Sequence, residues 1–169
     1  MLGVAIDFQG AAKAQPFVDL AKATFPNVVD TENVLGIAFG FKAVPNAVFV
    51  DEAGVIWYTH FGGFDIRKNE HRQLAERFAA SPDLTSLGLD SQAITASGNA
   101  EAVAHFQAGL AHYQAGDVQA ALSAWRKGVE LDPTNWIIRK QVWAIENPEH
   151  FYAGEVDYEW QRKQIAQNR

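Results

Sequence analysis

Two apolar runs joined by a four-residue turn constrain the first half of this chain more than any other feature. Residues 47–50 and 55–61 are rich in β-branched and aromatic side chains, and residues 51–54 between them end in a glycine placed to take a positive φ. Pro45 precedes the first run, where its missing N–H is harmless. The pattern predicts a β-hairpin. Because residues 47–50 are all apolar, we expect this strand to be covered on both faces.

Short apolar runs alternate with helical patterns on either side of the hairpin, which is the order of an α/β domain. We place this domain at residues 1–80. Its predicted elements are a strand at 2–8, a helix at 11–24 with Pro16 as its weak point, a short strand at 28–29, and helices at 31–39 and 65–79.

The segment 40–56 resembles the second half of a thioredoxin-like domain, closest to the bacterial thiol-disulfide oxidoreductase and peroxiredoxin-like branch. The resemblance implies a cis Val44–Pro45 bond and a sheet edge at Ala43, Val44 and Pro45 that contacts extended peptide. A trans proline at the start of a strand is the alternative. The chain has no cysteine, so it lacks the residues that carry the redox chemistry of such proteins.

The reactive helix of that superfamily, and the strand before it, have no counterpart in this sequence. In the family this strand lies between the equivalents of residues 2–8 and 47–50, so we expect a partial thioredoxin-like sheet with flanking helices and unpaired inner edges. Three explanations are open. A complementing N-terminal segment with Cys or selenocysteine belongs to the native polypeptide, for example where a selenocysteine codon before Met1 goes unread; another subunit supplies the strand; or the sheet is rearranged.

Residues 102–133 resemble a tetratricopeptide repeat of 34 residues. The matching residues are Gly109 and Ala121, which let two helices approach, Gly116 and Asp117 in the turn, Trp125 in the core, and Pro133 after the second helix. Three residues depart from the pattern. His105 and His112 stand where large aromatic residues are usual, and Gly128 replaces an alanine, which weakens that helix by up to about 1 kcal/mol.

The fold class predicted for the whole chain is therefore α/β followed by an all-α tetratricopeptide-like region. We assign residues 81–100 to a linker, 101–148 to the repeat-like helices and 149–169 to an aromatic tail with a short helix at 157–166. A helix at 135–146 should cover the repeat, and the tail should also pack onto the repeat. Because one repeat buries little surface alone, we expect the helices to dock on the N-terminal part.

A partner groove is the first candidate site on the repeat. Val103, Phe106, Leu110 and Tyr113 should line its concave face, and their apolar character suits either a partner or a lid from the same chain.

Histidines and one aspartate are the other candidates, and each has a structural explanation. His105 and His112 share one helix face, but no nearby carboxylate or thiol would complete a set of metal ligands. We therefore interpret the two histidines as packing residues. His60 is expected to be an exposed residue of the edge strand near Pro45. Asp7 ends the first strand and points toward the face where the family's active site lies, and we interpret it as a strand-end cap or a turn residue. We predict no catalytic residue, metal or cofactor.

Net charge and hydropathy limit the classes of partner that this chain is expected to bind. The formal charge of −6 and the pI near 5.3 argue against nucleic acid and anionic membrane, and no apolar run or basic leader predicts a membrane span or signal peptide. We therefore expect a cytoplasmic chain that binds protein or peptide, as an interaction protein that is redox-inactive as written. Whether it is part of an enzyme is open. The alternatives are the C-terminal part of a thiol-disulfide or peroxide-reducing oxidoreductase, and a structural homo-oligomer that exchanges strands.

Overall fold

A computed structural model describes residues 1–81, 84–91 and 98–167. The predicted linker at 81–100 lies partly outside these ranges. The elements in chain order are β1 (Gly3–Ala5), α1 (Ala11–Leu20), β2 (Asn27–Val29), α2 (Val34–Ala38), β3 (Asn46–Val50), β4 (Ile56–Phe61), α3 (Asn69–Ala80), a 3₁₀ helix (Leu84–Leu87), α4 (Ala100–Gln114), α5 (Val118–Leu131), α6 (Trp136–Glu146), α7 (Glu149–Tyr152) and α8 (Tyr158–Gln167).

The strands of the described residues form two separate sheets of two strands each. β1 pairs in parallel with β2, and β3 pairs with β4 in an antiparallel hairpin. A single thioredoxin-like sheet therefore stays a prediction. The expectation that β3 is covered on both faces is wrong, because α3 packs on one face through Phe78, whose ring lies 4.9 Å from that of Phe49, while Val50 is 42% exposed.

The hairpin turn has the chemistry that the sequence predicts. Gly54 takes a φ of 81°, and one carboxylate oxygen of Asp51 accepts hydrogen bonds from the backbone N–H groups of Ala53 and Val55 at 2.9 and 2.8 Å. The other oxygen accepts from the indole Nε1 of Trp57 at 2.8 Å. These bonds, which favour the ionised carboxyl, lower the pKa of Asp51. The Asp51 side chain thus adds three hydrogen bonds to the two backbone bonds that close the turn, Asp51 N–H to Val55 O and Gly54 N–H to Asp51 O, both at 3.0 Å.

Two helices of the N-terminal segment are shorter than predicted. α1 ends at Leu20, and Lys22 beyond it takes a φ of 49°, which is outside the right-handed helical region. α2 begins at Val34 because Asp30 accepts the first backbone N–H bonds of that helix, at 2.9 and 2.8 Å, and Asn33 takes a φ of 56°.

The chain divides into two compact units that differ from the predicted domains. One unit combines Met1–Leu35 with Gly98–Arg169, and the other is Gly36–Ser97. The predicted domain at 1–80 is divided because its first part packs on the helical region, where the ring of Phe8 meets that of Phe106 at 5.1 Å. The expected docking of the repeat onto N-terminal residues thus involves Phe8, in the turn between β1 and α1.

The aromatic tail packs onto α6, the helix that follows the repeat, whereas the sequence predicts packing onto the repeat itself. Trp143, Ala144 and Phe151 form a buried cluster, against which Trp160 and Ile165 of α8 pack. The rings of Trp143 and Trp160 lie 5.5 Å apart, edge to face. The tail therefore contributes to the core of the helical region through Phe151, Trp160 and Ile165.

Candidate interaction surfaces

The helix pair α4 and α5 is joined at its centre by one glycine and one tryptophan. A Cβ atom on Gly109 would collide with the indole of Trp125, so these helices approach to a distance that only glycine permits. Trp125 is fully buried, and its Nε1 donates to the backbone oxygen of Phe106 at 3.1 Å. Ala121 is also fully buried. The packing roles predicted for these residues are confirmed.

Both helices of the pair begin at a side-chain cap. Asn99 accepts bonds from the backbone N–H groups of Glu101 and Ala102, and its Nδ2 donates to the oxygen of Leu131 at 3.0 Å. Asp117 caps α5 through Ala120 at 3.0 Å. Asn99 therefore fixes the start of α4 against the end of α5.

The four residues predicted to form a partner groove lie on α4, but the groove is not open along its length. Phe106 and Leu110 are buried, whereas Val103 and Tyr113 are half-buried. Phe8, only 7% exposed, covers Phe106. The occupant of the groove at this point is thus a segment of the same chain.

The residues around Phe8 extend this contact to Tyr152. The Tyr152 hydroxyl donates to Oε1 of Gln9 at 2.8 Å, and Nζ of Lys13 lies 4.7 Å from the centre of the ring. Burial, followed by the carboxylate of Asp7 and then by Tyr113, raises the pKa of Tyr152. No pattern in the sequence predicts this contact, because its two sides lie 143 residues apart.

Asp7 lies beside this contact. Burial raises the pKa of its carboxyl, although the hydrogen bond from the Gln9 backbone N–H and the charge of Lys13 act in the opposite direction. β1 ends at Ala5, and Asp7 lies in the turn that follows, where its backbone oxygen accepts from the Gly10 N–H at 3.1 Å; the structure thus agrees with its interpretation as a turn residue.

A second groove lies on another side of the helix pair. It has a volume of about 590 Å³ and is lined by His105, His112, Ala120, Ser123, Ala124, Arg126, Lys127 and Glu130. The interpretation of the two histidines as packing residues is wrong for His112, which is exposed, because no element of the described residues covers this groove; His105 is half-buried. Arg126 pairs with Glu146 and Lys127 with Glu130, so the charges at its rim are largely balanced.

The predicted peptide edge lies in the second unit. The Val44–Pro45 bond is cis, as the resemblance implies, and Val44 is 47% exposed. The oxygen of Ala43 accepts from Nδ2 of Asn46 at 2.6 Å, and that of Pro45 accepts from the Gly62 N–H at 3.1 Å. In the described part of the chain, β4 is the one strand that pairs with β3, so the other edge of β3 bears no strand.

His60 is part of an aromatic cluster, which the sequence did not predict. Its Nδ1 lies 3.2 Å from the Tyr58 hydroxyl, and its ring lies 5.1 Å from the ring of His71, which stacks on Phe64. His60 is half-buried, so its interpretation as an exposed edge residue is wrong. Among the described residues, no group of three or more His, Cys, Asp or Glu side chains is placed to hold a metal ion.

Comparison with known families gives one match. A family model described as tetratricopeptide repeat matches residues 102–135, which contain α5 and most of α4. Comparisons with curated proteins and with solved structures gave no match. The region 102–135 is therefore a tetratricopeptide repeat by sequence and by helix packing, and it indicates a role in protein–protein interaction. No helix of the described residues is long and apolar enough to cross a bilayer.

Proposed function

We propose that this chain is an interaction protein that combines a tetratricopeptide repeat with a thioredoxin-like hairpin, and that it contacts extended peptide at Val44 and Pro45 or a partner through its helices. As written it performs no thiol chemistry, since it has no cysteine. The observation that carries the proposal is the repeat at 102–135.

The repeat supports the proposal because its packing is complete inside while its outer surfaces remain available. Trp125 and Ala121 fill the interface between α4 and α5. The groove beside His105 and His112 is open. Repeats of this kind present such surfaces to other proteins.

The hairpin supports the peptide edge through the side of β3 that no strand of the described residues occupies. A strand without a neighbour on one side can pair with an extended chain, and the side chain of Val44 is nearly half exposed beside that edge. Affinity would come from main-chain hydrogen bonds and specificity from pockets for alternate side chains.

A peptide library displayed on phage and selected against the purified chain tests this function. We expect selected peptides to bind with dissociation constants in the micromolar range in fluorescence anisotropy. Val44→Lys should weaken peptides that use the hairpin edge at least tenfold. Val55→Lys is the matched control, because Val55 is 37% exposed and lies at the turn end of the hairpin. A selection that returns no binder, or equal effects of the two substitutions, would contradict the peptide edge.

The two separate sheets favour a second candidate function. β1 and β3 each pair with a single strand in the part of the chain described, as expected if a further strand belongs between them. The chain would then be part of a thiol-disulfide or peroxide-reducing oxidoreductase, or a subunit that exchanges strands with a second copy. Insulin reduction by this chain alone would refute redox inactivity, and a monomer in size-exclusion chromatography with light scattering would argue against strand exchange.

A further inference from the structure

We propose that residues 7–13 are a built-in ligand of the helical region, where they contact Phe106 of the repeat and Tyr152 of α7, and that a partner protein displaces them by presenting an aromatic side chain followed by a side-chain amide. The inference rests on the proposed role in protein interaction and names the site and the chemistry of the partner. Its basis is the segment that already occupies the groove.

The segment shows which chemistry the groove accepts. The ring of Phe8 meets Phe106 edge to face, an arrangement that aromatic pairs favour. Gln9, the next residue, accepts a bond from the Tyr152 hydroxyl, and Lys13 lies over the same ring. A partner with the same three features, an aromatic ring, an amide oxygen and a cation, would make the same contacts.

The built-in ligand fits the groove imperfectly. The Nε2 atom of Gln9 is buried, and no atom of the described residues accepts a hydrogen bond from it. A buried donor without an acceptor carries its full cost of desolvation. A partner segment that supplies an acceptor there gains an interaction that the chain's own segment lacks.

The elements that carry this ligand are weakly held. β1 and β2 contain three residues each, and a two-stranded sheet of this size has little stability of its own. Val4 and Val28 are cross-strand neighbours, yet they are 37% and 47% exposed, whereas parallel sheets are normally covered on both faces. The strands that flank the segment therefore add little to its attachment, and the main apolar contact that a partner must replace is that of Phe8 with Phe106.

The competition can be measured with a fluorescein-labelled peptide that has the sequence of residues 5–20. In the wild-type chain the tethered segment competes at an effective concentration of about 1 mM, so we expect weak binding. Phe8→Ala should tighten binding of this peptide at least tenfold. Phe17→Ala is the matched control, since Phe17 lies in α1 of the same segment and is 38% exposed. A peptide with alanine in place of Phe8 should lose at least tenfold in affinity.

Lys13→Gln keeps the test valid if Phe8→Ala fails to fold, because Lys13 is exposed and this change should still tighten binding several-fold. Equal affinities of wild type and both variants, or an equal gain from Phe17→Ala, would overturn the proposal. A wild-type dimer that Phe8→Ala dissociates would show exchange of the segment between copies and would also overturn it. Library peptides that bind wild type and Phe8→Ala equally would leave the proposed function intact and refute this inference alone.

Discussion

Gly109→Ala should destabilise the helical unit although it adds a good helix former. The new Cβ would lie 2.9 Å from Cε2 of Trp125 and closer still to two other atoms of the indole. Trp125 cannot swing away at low cost, because it is fully buried and its Nε1 is bonded to Phe106. This substitution adds one carbon atom, and it therefore sets the cost of overpacking the core against the gain in helix propensity.

The expected magnitude combines two opposing terms. Overpacking a well-packed core costs about 1–3 kcal/mol, and moving the indole also costs about 1 kcal/mol for its hydrogen bond. Replacing a mid-helix glycine by alanine returns up to about 1 kcal/mol. We expect a net loss of about 2 kcal/mol in the free energy of unfolding.

Gly128→Ala is the matched control in α5. Its Cβ would meet Cδ1 of Ile138 at an ordinary 3.5 Å and the backbone oxygen of Ala102 at 3.2 Å, so the two helices need to separate there by only a few tenths of an ångström. The gain in helix propensity should offset this strain, so the free energy of unfolding should be unchanged or higher by up to about 1 kcal/mol.

Urea denaturation followed by circular dichroism at 222 nm measures both variants. In Trp125→Ala every side-chain atom that meets the new Cβ is gone, so Gly109→Ala should cost at least about 1 kcal/mol less in that background. If Gly109→Ala proves as stable as wild type, or if Gly128→Ala is equally damaging, the close approach at Gly109 is not what holds the helix pair.

Three further outcomes are expected. Asn99→Ala should lower the free energy of unfolding by about 1 kcal/mol in urea denaturation, whereas Asn99→Asp should retain most of the cap. Hydrogen bonds from the side chain and backbone of Arg67 lower the pKa of Asp65 to about 2, so this carboxylate stabilises the fold above pH 4 and the stabilisation is lost as the pH falls towards 2. Arg67→Gln should raise that pKa in a carboxyl-carbon NMR titration, and an unchanged value would contradict the assigned cause. Tyr152 should be the last tyrosine to ionise in an alkaline titration at 295 nm, and Tyr152→Phe should remove the step at highest pH; loss of an earlier step instead would contradict the burial of its hydroxyl.

The repeat and the hairpin could be predicted because their signals are local. Gly109, Trp125 and Pro133 occupy fixed positions along one segment, and Gly54 follows Asp51 within one turn. Side-chain size and permitted φ decide such features within a few residues. The helix bounds that were missed depend on Asp30 and Asn33, whose cap and positive φ lie one turn before the helix.

The contact between residues 7–13 and the helical region could not be predicted, since it joins segments without a common pattern. Nothing near Phe8 in the sequence shows that its ring will meet Phe106 rather than the core of its own α/β segment. Likewise His60 lies in a strand pattern that suits an exposed residue, and its burial depends on Phe64 and His71 from the following loop and helix.

The unit that holds the repeat is discontinuous, and this fixes an order for its assembly on the ribosome. Its first part, Met1–Leu35, is synthesised long before its second, Gly98–Arg169, and the compact unit Gly36–Ser97 lies between them in the chain. Since domains fold as units while the chain emerges, the inserted unit can be complete before its host begins. Until α4 leaves the tunnel, Phe8 has no ring to pack against, so the nascent chain carries an exposed aromatic segment that a chaperone can bind.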